Sequence, residues 1–565
     1  MKEFFTRKGV ALAGLMGTVG YLTLLPLLMI LYGTVRDGPP GTAATFTLSH
    51  YVRAYSSPEL IGLAANTILF ALGAAFVSFV LGTFLAWVTE RTNTPFKGVI
   101  YALVLFPFVV PGILPAIAWV LLLSPKVGLI NWVFMNLLGF SEPPFNIYSM
   151  WGMIWTFGVD NITLPFFLMA ASFRSMDPAL EEAASVSGMS PLGTFWRVNM
   201  KLMIPSILAT WLLLFVRGME SFEAPAVIGI PAEIKVFATQ IYLALSISTP
   251  PEYNLASTHA TFYLLVAVLG ISLYLQATSA SEKYTTITGK GYRPRTRDLG
   301  RWRFLTLAIS LTILFVVVVV PILMVLWVSL LPYYALPSRH LWSLLTLKNY
   351  SIIFGLDVFY RALFNNTVTG AASATIAVLL SAGISWVVIR TNLWGRKLLD
   401  VVAFTPIAVP GVVMGLALTW MYLTLPIPIY GTLWILVIGY VTKYIPIALR
   451  ACHASMLQIH PELEEASEIS GSPWVRTFFH ILLPLILPGL LAGWFYVLTL
   501  TFKVLSLPVL LSHVGTEVVP MVIFDFYGSG RFGELCALGV LLIVMLTVVA
   551  TLARFVSGRF GVQEG

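Results

Sequence analysis

The chain has 565 residues, 58% of them apolar and only 10% charged, with a formal net charge of +8. Soluble domains carry about 25% charged residues, so this composition excludes an ordinary soluble enzyme. The apolar runs are long and do not alternate with period two, which excludes a membrane barrel of roughly 10-residue segments and leaves an all-α integral membrane protein.

At the amino end, Lys2, Arg7 and Lys8 precede an apolar run from Gly9 to Tyr32. That run is longer than the roughly 7–15 residues of a signal-peptide core, so it predicts a retained first helix. With that helix near 9–32, hydropathy places five more spans near 64–89, 99–123, 150–172, 204–229 and 259–280. A second set follows near 304–331, 364–389, 399–424, 430–451, 482–510 and 535–556. About 20 apolar residues suffice for each, giving about 12 transmembrane helices. Counted from an inside start, the cytoplasmic segments together with Arg450 and Arg554 at the inner ends of their spans hold 22 of the 33 Lys and Arg. The positive-inside rule therefore places both termini in the cytoplasm. Lys283, Lys290, Arg293, Arg295, Arg297, Arg301 and Arg303 crowd the linker between the two sets, where positive charge fixes topology; no nucleic-acid partner is expected. Cys452 and Cys536 have neither metal nor redox spacing and read as packing residues.

The two sets are repeats. Thr47-Leu48 and Tyr51, Trp87-Val88, Arg91-Thr92-Asn93, Pro107 and Pro111-Gly112 recur 299 residues on, at Thr346-Leu347 and Tyr350, Trp386-Val387, Arg390-Thr391-Asn392, Pro406 and Pro410-Gly411. From Pro178 the offset is 283, so the first half holds 16 extra residues, placed around Ser124–Ser149. Six spans per repeat is an even number, so both halves insert alike, as two parallel six-helix repeats. The expected organisation is a first repeat at 1–280, a basic linker at 281–303 and a second repeat at 304–565.

Between the fourth and fifth spans, and again between the tenth and eleventh, lies an acidic block. The first runs from Asp177-Pro178 through Glu181, Glu182, Ala183 and Ala184 to Gly188; the second runs from His460-Pro461 through Glu464, Glu465, Ala466 and Ser467 to Gly471. Asp177 can cap a helix and proline suits its first position. Glycine ends a helix at C′, and Ser190-Pro191 and Ser472-Pro473 start a second short helix. The result is a helix–turn–helix with all four glutamates exposed for docking. An amphipathic helix lying on the membrane is the alternative, but such helices favour Lys and Arg on their polar face.

Glu465-Ala466-Ser467, Gly471 and Ile481-Leu482-Leu483-Pro484 resemble the EAA loop of permease subunits of binding-protein-dependent type I ABC importers. Glu182-Ala183-Ala184 and Gly188 match its start, whereas Val198, Met200 and Lys201 depart from its end. The resemblance covers nearly the whole chain as two fused permease halves, with EAA loops near 177–205 and 460–484. Ser221-Phe222-Glu223-Ala224-Pro225 and the segment from Val236 to Tyr242 look most like fused ferric-iron permeases. It implies a bacterial inner-membrane permease served by two copies of a cytoplasmic ATPase, each taking one EAA loop, and by an extracytoplasmic binding protein. ATP is used by those partners, for the chain has no phosphate-binding Gly-x-x-x-x-Gly-Lys loop; no cofactor is expected in it. Ferric iron leads as substrate, with thiamine, phosphonate and polyamine as alternatives. A secondary carrier of two six-helix halves is the rival of another class, and would not need acidic docking helices.

Charges inside spans are costly and point to function. Arg217, Glu220 and Glu223 in the fifth span and Lys503 in the eleventh are therefore candidates for the translocation path or gate, Glu220 and Lys503 being equivalent at the 283 offset. Snorkelling to the interface is the alternative for both. Asp160, Lys443 and His259 read as structurally paired, and no metal site is assigned.

Overall fold

The computed structural model describes residues 7–176, 178–281, 296–336, 339–460 and 462–559. Lys283, Lys290, Arg293 and Arg295 of the linker, the cap Asp177, the first-position proline Pro461 and the amino-terminal Lys2 lie outside the described residues. The regular structure of the described residues is helical apart from a two-residue strand pair, Arg36–Asp37 with Thr45–Phe46, and one isolated bridge between Thr92 and Arg297.

The first half is built from α1 (Arg7–Thr34), α2 (Glu59–Arg91), α3 (Lys97–Leu105), α4 (Ile113–Leu123), α5 (Leu129–Leu137), α6 (Met150–Asp160), α7 (Thr163–Arg174), α8 (Pro178–Val186), α9 (Met200–Glu220), α10 (Phe237–Ser246) and α11 (Tyr253–Ser281). The second half is built from α12 (Trp302–Ser329), α13 (Asp357–Arg390), α14 (Arg396–Phe404), α15 (Gly411–Thr424), α16 (Leu433–Leu457), α17 (Glu462–Ile469), α18 (Leu483–Lys503), α19 (Val519–Gly528) and α20 (Phe532–Arg559). The order repeats element for element, with α6 and α7 standing where α16 is continuous and α5 having no partner.

Eight helices among the described residues are long and apolar enough to cross a membrane, or eleven spans if each of three bent pairs counts as one. The expected twelve are therefore not all reached by this measure: segment 259–280 lies in α11, which is not among the eleven. The third and ninth spans are not straight, because α3 and α4 meet at 105° and α14 and α15 at 111°. The repeated prolines explain both bends. A residue before proline is driven out of the helical region, and Val110 and Val409 are extended, with ψ of 127° and 115°. Pro111 and Pro410 then lack the N–H that would continue the ladder. The fourth span is also bent, by 51° between α6 and α7.

The extra residues of the first half form α5 and its flanks. Asn131, buried in α5, donates from Nδ2 to the carbonyls of Leu123, Ser124 and Phe145 at 3.1, 3.0 and 2.9 Å, and its Oδ1 accepts from Phe145 N at 3.1 Å. One amide thus closes the insertion.

Two compact units result, and they do not follow the sequence halves. One comprises Met1–Ser57, Gln240–Phe262 and Tyr350–Gly565; the other comprises Pro58–Thr239 and Tyr263–Asn349. Each unit takes its first helix from the opposite half. In the first unit α1 lies against α14 and α15, Tyr21 and Tyr422 share a hydroxyl hydrogen bond of 3.0 Å, and a Cβ at Gly33 would sit 2.6 Å from the Trp420 ring. In the second unit α12 lies against α3 and α4, with Thr306 and Thr94 hydroxyls 2.7 Å apart. Each unit centres on one long helix. α13 packs on α16 and α18, and α2 packs on α6, α7 and α9. Small residues permit the approach, as expected where apolar burial alone does not drive helices together: a Cβ on Gly218 of α9 would lie 2.9 Å from Ala71 Cα in α2.

Candidate coupling site

Both acidic blocks fold by the same local rules. α8 and α17 end at Gly188 and Gly471, each with φ of +75°, a conformation that costs any residue with a Cβ. The bonds are those of a Schellman turn: Met189 N donates to Ala184 O at 3.0 Å, and Ser472 N to Ser467 O at 3.1 Å. Ser190 Oγ then accepts from Gly193 N at 3.1 Å, satisfying one of the free donors at a helix start.

The second short helix is not a separate element. The turns Pro191–Thr194 and Trp474–Thr477 run into π-helical turns, Phe195–Asn199 and Phe478–Leu482, and on into α9 and α18. The π turns are equivalent at the 283 offset, so the first loop ends as the second does although Val198, Met200 and Lys201 replace Ile481, Leu483 and Pro484. Pro484 stands where the π turn passes into α18, and Lys201 takes the equivalent place in the first loop.

The structure corrects the expectation that all four glutamates are presented outward. Glu182 and Glu465 are exposed, with Ala183 and Ala466 beside them, but Glu181 and Glu464 are turned toward their own units. Arg91 Nη2 donates to Glu181 Oε1, and Asn199 Nδ2 donates to the same oxygen at 2.9 Å. Arg390 Nε forms an ion pair with Glu464 Oε1 at 2.8 Å. The partner arginines lie 90 and 74 residues earlier in the chain, beyond the reach of any local pattern. Ala184 and Ser467 are also buried. The outer face carries instead a matched apolar pair, Val186 and Ile469, 90% and 88% exposed, with Leu180 and Leu463 also exposed.

Arg91 and Arg390 are the last residues of α2 and α13. The Arg-Thr-Asn repeat announced them, though nothing in the sequence gave it a role. Asn93 of the same motif holds the far end of the linker: its Nδ2 donates to Asp298 Oδ1, and its Oδ1 accepts from Leu299 N at 3.0 Å.

The charged residues of the fifth and eleventh spans stand at helix ends. Helix α9 stops at Glu220 because Ser221 is extended, with ψ of 133°, and α18 stops at Lys503 with Val504 likewise at 133°. The spans expected at 204–229 and 482–510 are thus shorter than hydropathy implied, since apolar residues continue past both stops. Arg217 is exposed in the last turn of α9, and Glu223 precedes a π turn, Pro225–Gly229. Glu220 belongs to one compact unit and Lys503 to the other. Lys443 has a structural partner: its Nζ donates to Val409 O at 2.6 Å, satisfying a carbonyl at the α14–α15 bend. His259 is buried in α11, and Asp160 ends α6. Among the described residues no three His, Cys, Asp or Glu side chains are grouped as metal ligands.

Residues 375–561 match the family of binding-protein-dependent transport system inner membrane components. Over 97% of its length the chain is 25% identical to the ferric transport system permease protein FbpB of Actinobacillus pleuropneumoniae, covering 78% of that protein. It is 21% identical, over 93% of its length, to the Fe(3+)-transport system permease protein FbpB 2 of Haemophilus influenzae, covering 94% of it. The putrescine transport system permease protein PotI of Escherichia coli is 24% identical over 46% of this chain and 91% of its own. Among solved structures, a bacterial alginate ABC transporter in complex with an alginate pentasaccharide-bound periplasmic protein aligns over 46% of this chain and 88% of that one, at 20% identity and a TM-score of 0.37.

Proposed function

We infer that this chain, a fused two-repeat permease of the binding-protein-dependent importer class, forms the translocation pathway of an ATP-driven importer of ferric iron in the inner membrane. The observation that carries the coupling role is the matched outer face of α8 and α17. Glu182 and Glu465, Ala183 and Ala466, and Val186 and Ile469 recur at one offset on equally built loops. Such a face, apolar at its centre and bordered by acid and small residues, suits a helix-in-groove contact. We assign one ATPase subunit to each loop, on the cytoplasmic side, and a binding protein to the other side of the membrane. Arg217, Glu220, Glu223 and Lys503 are assigned to the substrate path. Ferric iron is favoured by likeness to ferric permeases along nearly the whole chain.

The test is purification of the chain with its co-expressed ATPase and binding protein, followed by identification of the ligand that the binding protein holds. Retention of the ATPase by the wild-type chain, its loss in a Val186→Asp/Ile469→Asp variant, and ferric ion in the binding protein support the assignment. A variant that keeps the ATPase removes the docking face. A polyamine in the binding protein moves the substrate to the class named by the putrescine relative, and Glu220→Gln or Lys503→Gln with unchanged uptake removes those residues from the path.

A further inference from the structure

Each long central helix ends on an arginine that reaches into its coupling loop. α2 and α13 have 33 and 34 residues, about 50 Å at 1.5 Å per residue, which exceeds the roughly 30 Å hydrocarbon core. Both helices are thus long enough to reach beyond the lipid, and Arg91 and Arg390 are their last residues. The arginine side chains are 8% and 9% exposed although both are charged, so removing the carboxylate would leave a desolvated cation. The second arginine also donates from Nη2 to the carbonyls of Met456 and Ile459, at 3.0 and 2.6 Å, at the free end of α16. In the first loop, Asn199 draws the start of the α9 span onto the same glutamate oxygen.

We propose that Arg91 and Arg390 are positioning residues that latch each coupling helix to the inner end of its unit's central helix, so that a displaced coupling helix carries that span with it. Each acidic pair then divides its work: Glu182 and Glu465 face outward, and Glu181 and Glu464 face the membrane helices. The latch suits force transmission because each ion pair is buried on its arginine side at the very end of the central helix, and because α2 and α13 touch most of the other helices in their units. A coupling helix without it would be held by its two connections and by the turns that follow it, with no side-chain tie to the central helix to carry its motion. The proposal rests on the docking reading of α8 and α17.

The experiment uses the full chain with its ATPase and binding protein in proteoliposomes, comparing wild type with Arg91→Gln, Arg390→Gln and the exchanged pair Arg91→Glu/Glu181→Arg. The single variants are expected to retain the ATPase as wild type does, while the stimulation of ATP hydrolysis by loaded binding protein falls about 5-fold or more, the low end of allosteric couplings. The exchanged pair is expected to recover most of that stimulation, which a purely structural arginine would not. Wild-type stimulation in both single variants, or an exchanged pair no better than Arg91→Gln alone, overturns the latch. Should Arg91→Gln fail to accumulate, Glu181→Gln tests the same pair from the loop side: the same loss supports the latch and full stimulation overturns it. If the wild-type chain retains no ATPase, the docking reading itself fails, and the latch with it.

Discussion

Ser467 and Thr477 join their hydroxyls at 2.8 Å, buried between α17 and the turn that leads into α18. The equivalent pair in the first loop is Ala184 and Thr194, and there the threonine donates to Ser190 O at 3.2 Å instead. The two loops thus share a shape and differ in how they close.

Replacement of Ser467 by alanine leaves the Thr477 hydroxyl without its side-chain partner in a buried place, at a cost of about 1 kcal/mol. The expected result is faster amide exchange across 462–472 and little change across the first loop. Equal change in both loops would contradict the assignment.

Gly188→Ala and Gly471→Ala each force a Cβ onto a left-handed residue, costing about 1–2 kcal/mol. Neither site is crowded, for no atom lies within 4 Å of the place a Cβ would take. The cost is therefore conformational, and asparagine is expected to be better tolerated than alanine at both positions. Exchange of the loop amides with deuterium measures it, and an alanine as harmless as asparagine would refute the conformational origin.

Asn131→Ala removes the amide that closes the insertion, about 2–3 kcal/mol of local stability at about 1 kcal/mol per net bond. Limited proteolysis is expected to cut between residues 138 and 146 in the variant and to spare the wild type. The helices of both units should keep their melting temperature.

Glu517 supplies a pH dependence. Burial alone would raise its pKa, but hydrogen bonds at the backbone of Gly515 and Glu517 and the Arg361 guanidinium outweigh that and hold it below the usual 4.5. Arg361 Nε donates to its Oε2 at 3.1 Å. A depressed carboxylate contributes stability that is present above its ordinary pKa and is lost as pH falls through the depressed value. Wild type should therefore melt higher than Arg361→Gln at neutral pH, and the gap should close as pH falls from about 5 to about 3. A gap that persists at the lowest pH would assign the effect to packing.

The two repeats, the acidic blocks and the glycines that end them were all legible in the sequence, because each rests on residues close together in the chain. The proline motif was visible too, though its consequence was not: hydropathy is blind to the direction of a helix, so spans that bend by 105° and 111° read as straight. The same blindness carried the fifth and eleventh spans past Glu220 and Lys503 into apolar residues beyond the helix stop.

Near-neighbour chemistry along the chain set the helices through long apolar runs, the breaks through a proline that restrains its neighbour and lacks a donor, and the turns through glycines free to take a positive φ. Which helix completes which unit, and which glutamate of each acidic pair faces outward, came from packing in three dimensions. Adjacent glutamates are chemically identical until a cation arrives from elsewhere in the chain. Arg91 and Arg390 supply it from 90 and 74 residues away, a separation that only packing can close.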